Sequence, residues 1–245
     1  MSPDGSGKEL REDMRTDFHE QLQELEDETL STLELTSGAL DQAIEAVLNA
    51  DDELAVMVIN NDDRIDGRYL DVNQGVLNLI ALQAPVASDL RLVAAVLHTI
   101  RHVERIGDLS VNIAKMVTLM GDPPAGAEDI IAKLEAAGNQ ARDQIRQAGV
   151  SFKQRNLNLA ENLVSQDEVI DGLNRQIFRE AVELGSSDDH AREWGAHAML
   201  IARYIERIGD NTVDIGEQIA FVVSGEFREF TDASHPGGLA TSENH

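Results

Sequence analysis

The chain of 245 residues contains no cysteine, which excludes disulfide bonds, thiolate metal sites and cysteine nucleophiles. It has only five prolines, and aromatic residues make up 4% of the sequence. The apolar share of 42% is therefore almost entirely aliphatic. Scarce helix breakers and an aliphatic core are typical of long helices packed into bundles.

Positive charge is also in short supply, with 20 Lys and Arg against 45 Asp and Glu and a net charge of −25. Such a surface repels nucleic acids and anionic lipids, so we expect no direct nucleic-acid partner. No apolar run reaches the length of about 18 residues that a membrane span needs. The first residues carry no hydrophobic signal sequence either. These features predict a cytoplasmic protein without membrane insertion.

Helical periodicity predicts an all-α fold of six long helices with an internal duplication. The expected architecture is two tandem, similar three-helix bundles, over 9–121 and 127–225, joined by the Gly- and Pro-rich segment 121–126. Residues 1–8 and 231–245 are expected to be disordered ends. The predicted helices cover 9–48, 51–82, 88–120 with Ser88 as N-cap, 127–154, 157–184 and 188–224.

A charged motif is repeated at the spacing of these bundles. Glu104 and Asp108, in Glu-Arg-Ile-Gly-Asp, return 102 residues later as Glu206 and Asp210 in the same motif. Their spacing of four places both carboxylates on one helical face, in a row that is otherwise apolar. Because a lone buried carboxylate costs several kcal/mol or binds a proton, such a row needs a neutralising cation.

A second pair of acids precedes each motif by one helix. In each half the two acid pairs lie at equal distances from the turn between their helices, which is Pro85 in the first half and Asp188–Asp189 in the second. Antiparallel neighbouring helices therefore bring four carboxylates to one level. The eight predicted site residues are Asp62, Asp66, Glu104 and Asp108, and Asp167, Asp171, Glu206 and Asp210.

Oxygen ligands without cysteine or histidine suit hard cations such as magnesium, manganese, calcium or ferric iron, with zinc less expected. Arg101 and Arg203 are candidates to pair with the carboxylates from just outside the site. Asn112 and Asp214 are candidates to extend it by one turn, and their difference predicts unequal sites. Clusters neutralised by arginine, with only a structural role, are an open alternative.

The paired Glu-Arg-Ile-Gly-Asp segments, the upstream acid pairs and the Ser-Asp-Leu-Arg sequence 88–91 resemble the PhoU family of phosphate-uptake regulators. This resemblance implies two three-helix bundles side by side. It also implies a cytoplasmic, non-enzymatic and frequently homodimeric negative regulator of phosphate homeostasis. Such proteins are thought to link the ATPase subunit of the phosphate ABC importer to a sensor histidine kinase, restraining the importer and repressing the phosphate-starvation regulon.

The same resemblance implies multinuclear clusters of divalent or trivalent metal ions at the eight acids. It does not identify the metal, for which iron, manganese, magnesium and zinc are the candidates. Two other functions remain open. A ferritin-like di-metal carboxylate oxidase would use Glu-x-x-His pairs, which this sequence lacks. A helical scaffold without metal is the other alternative, and the metal content of the purified protein distinguishes it.

Overall fold

A computed structural model of the protein describes residues 5–82, 85 and 87–230, with side chains described for 15–81, 85 and 87–230. The described part contains α-helices and no strand. The helices are α1 (Gly5–Asn49), α2 (Asp52–Asn60), α3 (Asp63–Leu82), α4 (Ala87–Met120), α5 (Glu128–Gln154), α6 (Leu157–Glu161), α7 (Leu163–Leu184) and α8 (Asp189–Ser224).

Two of the six predicted helices are interrupted, so the single helices expected over 51–82 and 157–184 are corrected to pairs. The first break falls at Asn61, whose backbone N–H bonds back to the carbonyls of Met57 and Val58 as α2 ends. The second falls at Asn162, which ends α6 and begins α7. Both breaks fall at asparagine, a residue type that favours helix ends over helix interiors.

The other helix ends lie close to the prediction, with one exception. Asp188 caps α8 as expected, because its carboxylate accepts a hydrogen bond from the Ala191 N–H at 2.8 Å. Ser88 is not the N-cap of α4, since that helix already includes Ala87. Of the ends expected to be disordered, residues 1–4 and 231–245 lie outside the described part, and α1 begins at Gly5.

The expected duplicated all-α architecture is confirmed. In the first half α1, α3 and α4 pack together, and in the second half α5, α7 and α8 do the same. The halves meet where α4 packs on α8 and α1 packs on α5, and one continuous apolar core runs through both. Because α4 and α8 carry the repeated motif, its two copies lie on the helices that join the halves.

Candidate functional site

The first acid cluster consists of Asp62, Asp66, Glu104 and Asp108. The carboxylates of Asp66 and Asp108 act on that of Asp62, and Asp62, Asp66 and Asp108 act on Glu104. The two acid pairs were predicted to lie at equal distances from the turn between their helices. The start of α3 lies beside α4 at the level that this prediction requires. These acids are less buried than expected, since Asp66 is exposed and the other three are half-buried.

The second acid cluster consists of Asp167, Asp171, Glu206 and Asp210. The charges of Asp210 and Asp171 act on Glu206, and the carboxylate of Asp167 lies against Gly209 on α8. Asp167, Asp171 and Glu206 are buried and Asp210 is half-buried. The apolar rows around these acids predict that all eight are buried, and that prediction is wrong for the four acids of the first half and for Asp210.

The glycine of each motif allows these helices to approach closely. A side chain at Gly107 would meet Ile65 of α3 at 3.1 Å, and one at Gly209 would meet Ile170 of α7 at 3.2 Å. Ile65 and Ile170 are separated by the same 105 residues as the upstream acid pairs. The two halves therefore share one crossing geometry, and it positions each upstream acid pair beside a Glu-x-x-x-Asp pair.

Crowding of negative charge in the first acid cluster is reflected in its protonation equilibria. Burial, followed by the charges of Asp66 and Asp108, raises the pKa of Asp62. Burial, followed by Asp108 and Asp66, likewise raises the pKa of Glu104. The Oδ1 atom of Asp62 is buried and has no hydrogen-bond partner among the residues that the structure describes. This oxygen marks a place where a cation or proton would be stabilised.

The second acid cluster shows the larger effect. Burial, followed by the charge of Asp210, raises the pKa of Glu206 to about 7, although the guanidinium of Arg203 opposes the shift. Arg203 donates a hydrogen bond to Oε1 of Glu206, and Oε2 is buried without a hydrogen-bond partner in the described part of the chain. Glu206 therefore changes its protonation state near neutral pH.

Arginines contact both clusters, and only one of them was predicted. The pairing expected for Arg203 is present, whereas Arg101 is exposed and forms no ion pair within the described residues. In the first half Arg105 takes the neutralising position, with Nη1 at 3.1 Å from Oδ2 of Asp108. In the second half Arg175 lies 3.4 Å from Asp171. Their helical spacings of three and four from these acids were the available signal.

The proposed extension of the sites by Asn112 and Asp214 stays a prediction. Asp214 lies 3.4 Å from the Nδ1 atom of His102, and the side-chain oxygen of Asn211 is 3.1 Å from that same nitrogen. Asp214 thus takes part in the contact between α8 and α4. Asn112 is half-buried and forms no hydrogen bond to the first acid cluster in the part that is described.

Sequence reasoning missed a polar residue beside the second acid cluster that α5 supplies. Gln144 of α5 is fully buried, donates from Nε2 to the Leu163 carbonyl at 3.1 Å, and lies beside Gly209. Its Oε1 atom accepts no hydrogen bond from any side chain or backbone group that the structure describes. A polar residue on the apolar stripe of α5 is the same kind of signal that revealed the acids.

The donor chemistry of both clusters fits a hard cation, because every candidate ligand is a carboxylate oxygen. Oδ1 of Asp62 and Oε2 of Glu206 are also buried without a hydrogen-bond partner among the described residues. Their arrangement is looser than a formed site. Among the residues with described side chains, no three His, Asp or Glu are grouped so that they could hold a metal ion. Metal binding by the eight acids stays a prediction.

Within the described residues no helix has both the length and the apolar character needed to cross a membrane. The fold and site define a class of duplicated helical bundles with one acid cluster in each repeat. The family model of the PhoU domain matches residues 30–117 and again 134–219. The chain therefore belongs to the PhoU family.

Curated relatives agree with this assignment. The chain is 28% identical to the phosphate-specific transport system accessory protein PhoU homolog of Clostridium acetobutylicum over 216 residues, covering 88% of this chain and 98% of that protein. It is 30% identical to phosphate-specific transport system accessory protein PhoU of Serratia marcescens over 223 residues, covering 91% and 89%.

Solved structures have the same fold. The phosphate transport system regulatory protein PhoU from Streptococcus pneumoniae superposes with a TM-score of 0.79 at 26% identity, covering 86% of this chain and 99% of that chain. PhoU from Pseudomonas aeruginosa superposes with a TM-score of 0.80 at 25% identity, covering 85% and 100%. Both similarities extend over the two repeats and over nearly the whole of each solved chain.

Proposed function

We propose that this protein is a regulatory accessory protein of a phosphate-specific transport system and has no catalytic role of its own. The observation that carries the proposal is the duplicated acid-pair motif, which occurs at the same helix crossing in both halves of a PhoU fold. The names of the relatives supply the transport system. A ferritin-like oxidase is disfavoured, because His102 pairs between the halves and His98 is exposed.

At finer detail, the protein restrains the high-affinity phosphate ABC importer and represses the phosphate-starvation regulon. Its partners in this proposal are the importer's ATPase subunit, a sensor histidine kinase and a second copy of itself, all meeting in the cytoplasm. A net charge of −25 favours protein partners over nucleic acids. Two repeats joined along α4 and α8 provide two similar surfaces on one rigid core, as an adaptor requires.

Metal ions at the acid clusters form the second part of the proposal. Asp62, Asp66, Glu104 and Asp108 would hold metal in the first half, and Asp167, Asp171, Glu206 and Asp210 in the second. A bound cation would neutralise the clustered carboxylates and give an otherwise repulsive surface an affinity for anions such as phosphate. Support comes from the raised pKa values of Asp62, Glu104 and Glu206 and from the partnerless oxygens of Asp62 and Glu206.

A deletion strain tests the regulatory role. We expect the strain to express phosphate-starvation genes in phosphate-rich medium, and the wild-type gene to restore repression. A Glu206→Ala and Asp210→Ala double variant should fail to restore repression and to retain the importer ATPase in a pulldown. The Glu135→Ala and Glu193→Ala double variant is the matched control, because it removes two exposed carboxylates from α5 and α8. Normal repression in the deletion strain would refute the proposal.

Elemental analysis tests the metal. Protein purified without chelator should contain metal, and the Glu206→Gln and Asp210→Asn variant, which keeps side-chain shape, should contain less than the Glu135→Ala and Glu193→Ala control. Circular dichroism of each variant verifies that it is folded. Metal-free wild-type protein, or equal metal in all variants, would leave arginine neutralisation as the role of the clusters.

A further inference from the structure

An apolar groove lies on the second half between α7 and α8, with a volume of about 830 Å³. Phe178 of α7 and Met199 and Leu200 of α8 form its apolar lining. The Phe178 side chain is 57% exposed, and Val182, one turn further along α7, is 55% exposed. An aromatic ring beside exposed aliphatic side chains, in a concave site, is a common feature of binding surfaces.

Positive charge borders this groove. Arg175, Arg179 and Arg203 line it, in a chain that has only 20 basic residues against 45 acidic ones. Arg175 and Arg203 also contact members of the second acid cluster, whereas Arg179 is exposed and forms no ion pair within the described residues. The guanidinium of Arg179 is therefore available to an acidic group from outside.

The first half has no equivalent of this groove chemistry. Applying the spacing between the repeats, the α3 positions that correspond to Arg175, Phe178 and Arg179 hold Leu70, Asn73 and Gln74. Of the three arginines only Arg203 has a counterpart, Arg101. Since the duplicated fold forms in the first half without this combination, packing does not require Phe178 and Arg179 in the second.

The shape of the groove fits a helix. On α8 it is lined by positions 196, 199, 200 and 203, which follow the i, i+3, i+4, i+7 pattern of one helical face. The α7–α8 pair is packed against α5, while the groove remains open to solvent. Two packed helices with an open apolar seam can receive a third, amphipathic helix.

We propose that this groove docks an amphipathic helix of a partner protein, with apolar anchors on Phe178, Met199 and Leu200 and flanking carboxylates on the arginines. Charge complementarity selects an acidic partner. A membrane surface is disfavoured, because a broad anionic surface would also face the acidic remainder of this chain, whose net charge is −25, whereas a single helix contacts only the groove bordered by the three arginines. The inference needs neither metal nor phosphate signalling, so it is separable from the proposed function.

Fluorescence anisotropy with defined peptides tests the proposal. The probe is a labelled helical peptide of about 18 residues, with leucines at spacings of three and four and glutamates beside them. A second peptide has lysine in place of each glutamate. We expect wild-type protein to bind the acidic peptide at least about tenfold more tightly than the lysine peptide, and the preference to weaken at high salt.

Two variants locate the binding. Arg179→Glu should lower affinity for the acidic peptide by about tenfold and raise it for the lysine peptide, because the charge at the groove is reversed. Phe178→Ser should weaken the binding of both peptides. The controls lie outside the groove and should leave binding unchanged. Arg15→Glu on α1 makes the same charge reversal at an exposed position, and Leu77→Ser on α3 removes an apolar side chain as exposed as that of Phe178.

Four results would overturn the proposal. They are no binding of the acidic peptide, equal binding of both peptides, equal effects of the groove and control variants, and binding of phosphatidylglycerol vesicles that Arg179→Glu abolishes. Sedimentation equilibrium tests whether a second copy of this chain occupies the groove. Self-association that is lost in Arg179→Glu and displaced by the acidic peptide would assign the groove to a second copy of this chain instead.

Discussion

The two acid clusters share their residue types and their register, yet they differ in environment. Asp167, Asp171 and Glu206 are buried in the second cluster, whereas no member of the first is fully buried and Asp66 is exposed. Burial is the largest contribution to the raised pKa of Glu206, about 7. Duplication thus preserves the pattern of charge, while local packing decides how much that charge costs.

The contacts at the motif glycines also differ between the two clusters, in the same sense as the burial of the acids. In the second half the Asp167 carboxylate lies at Gly209 and two arginines contact the cluster. In the first half Ile65 is nearest to Gly107, and Arg105 is the one basic side chain paired with the cluster among the described residues. A cluster covered by neighbouring side chains loses water, so it depends more on arginine, protons or metal. The second acid cluster should therefore respond more strongly to every perturbation.

Alanine at the motif glycines should produce the largest contrast. A Cβ at Gly209 would collide with Oδ1 of buried Asp167, whereas one at Gly107 would lie 3.1 Å from the end of the Ile65 side chain. We expect Gly209→Ala to lower the free energy of unfolding by about 2–4 kcal/mol and Gly107→Ala by about 1 kcal/mol or less. Urea unfolding measures both, and equal losses would contradict the asymmetry.

Replacing Glu206 by glutamine should give the next largest effect. The pKa of Glu206 rises on folding from 4.5 to about 7, so the folded state binds the extra proton and loses stability as pH rises through that window. Glutamine mimics the protonated form. At pH 8 in chelator, Glu206→Gln should therefore raise the free energy of unfolding by about 1–2 kcal/mol.

Unfolding curves at pH 4.5 and pH 8 provide the test for Glu206. The difference between wild type and Glu206→Gln should be close to zero at the lower pH, where Glu206 is protonated in the folded state, and largest at the higher. A variant that is less stable than wild type at pH 8 would show that the Arg203 contact outweighs the cost of burial.

The equivalent change in the first half should act in the same direction with a smaller size. Burial and its acidic neighbours raise the pKa of Glu104, but the side chain is only half-buried, so water screens the interaction. We expect Glu104→Gln to raise the free energy of unfolding at pH 8 by less than ~1 kcal/mol. Thermal unfolding of the two glutamine variants side by side would detect an inverted order.

The smallest effect on the free energy of unfolding is expected for Asp214→Asn. This variant tests whether Asp214 belongs to the contact between α8 and α4 or to the second acid cluster. If Asp214 acts between the halves through His102, Asp214→Asn should cost no more than about 0.5 kcal/mol and leave the pH dependence due to Glu206 unchanged. A double-mutant cycle with His102→Ala measures the coupling. A changed pH dependence of the free energy of unfolding would show that Asp214 interacts with the second acid cluster.

Much of this site could be predicted because helical periodicity and chain symmetry are local properties. Equal distances from Pro85 paired Asp62 with Asp108, and the contact of Asp167 with Gly209 follows the same rule in the second half. The breaks at Asn61 and Asn162 were missed, because a cap residue inside an amphipathic stretch leaves the apolar pattern unchanged. Arg105 and Arg175 were missed as partners of the acids, because spacings of three and of four in either direction along a helix all allow an ion pair.

The sequence alone determined the helices, the duplication and the facing of eight carboxylates, since these depend on residue spacing along the chain. Only the tertiary structure decided which acids are buried, which arginines reach them and where the apolar groove lies. These properties depend on how closely helices distant in the chain approach, and a side chain's exposure is set by neighbours that its own segment does not encode.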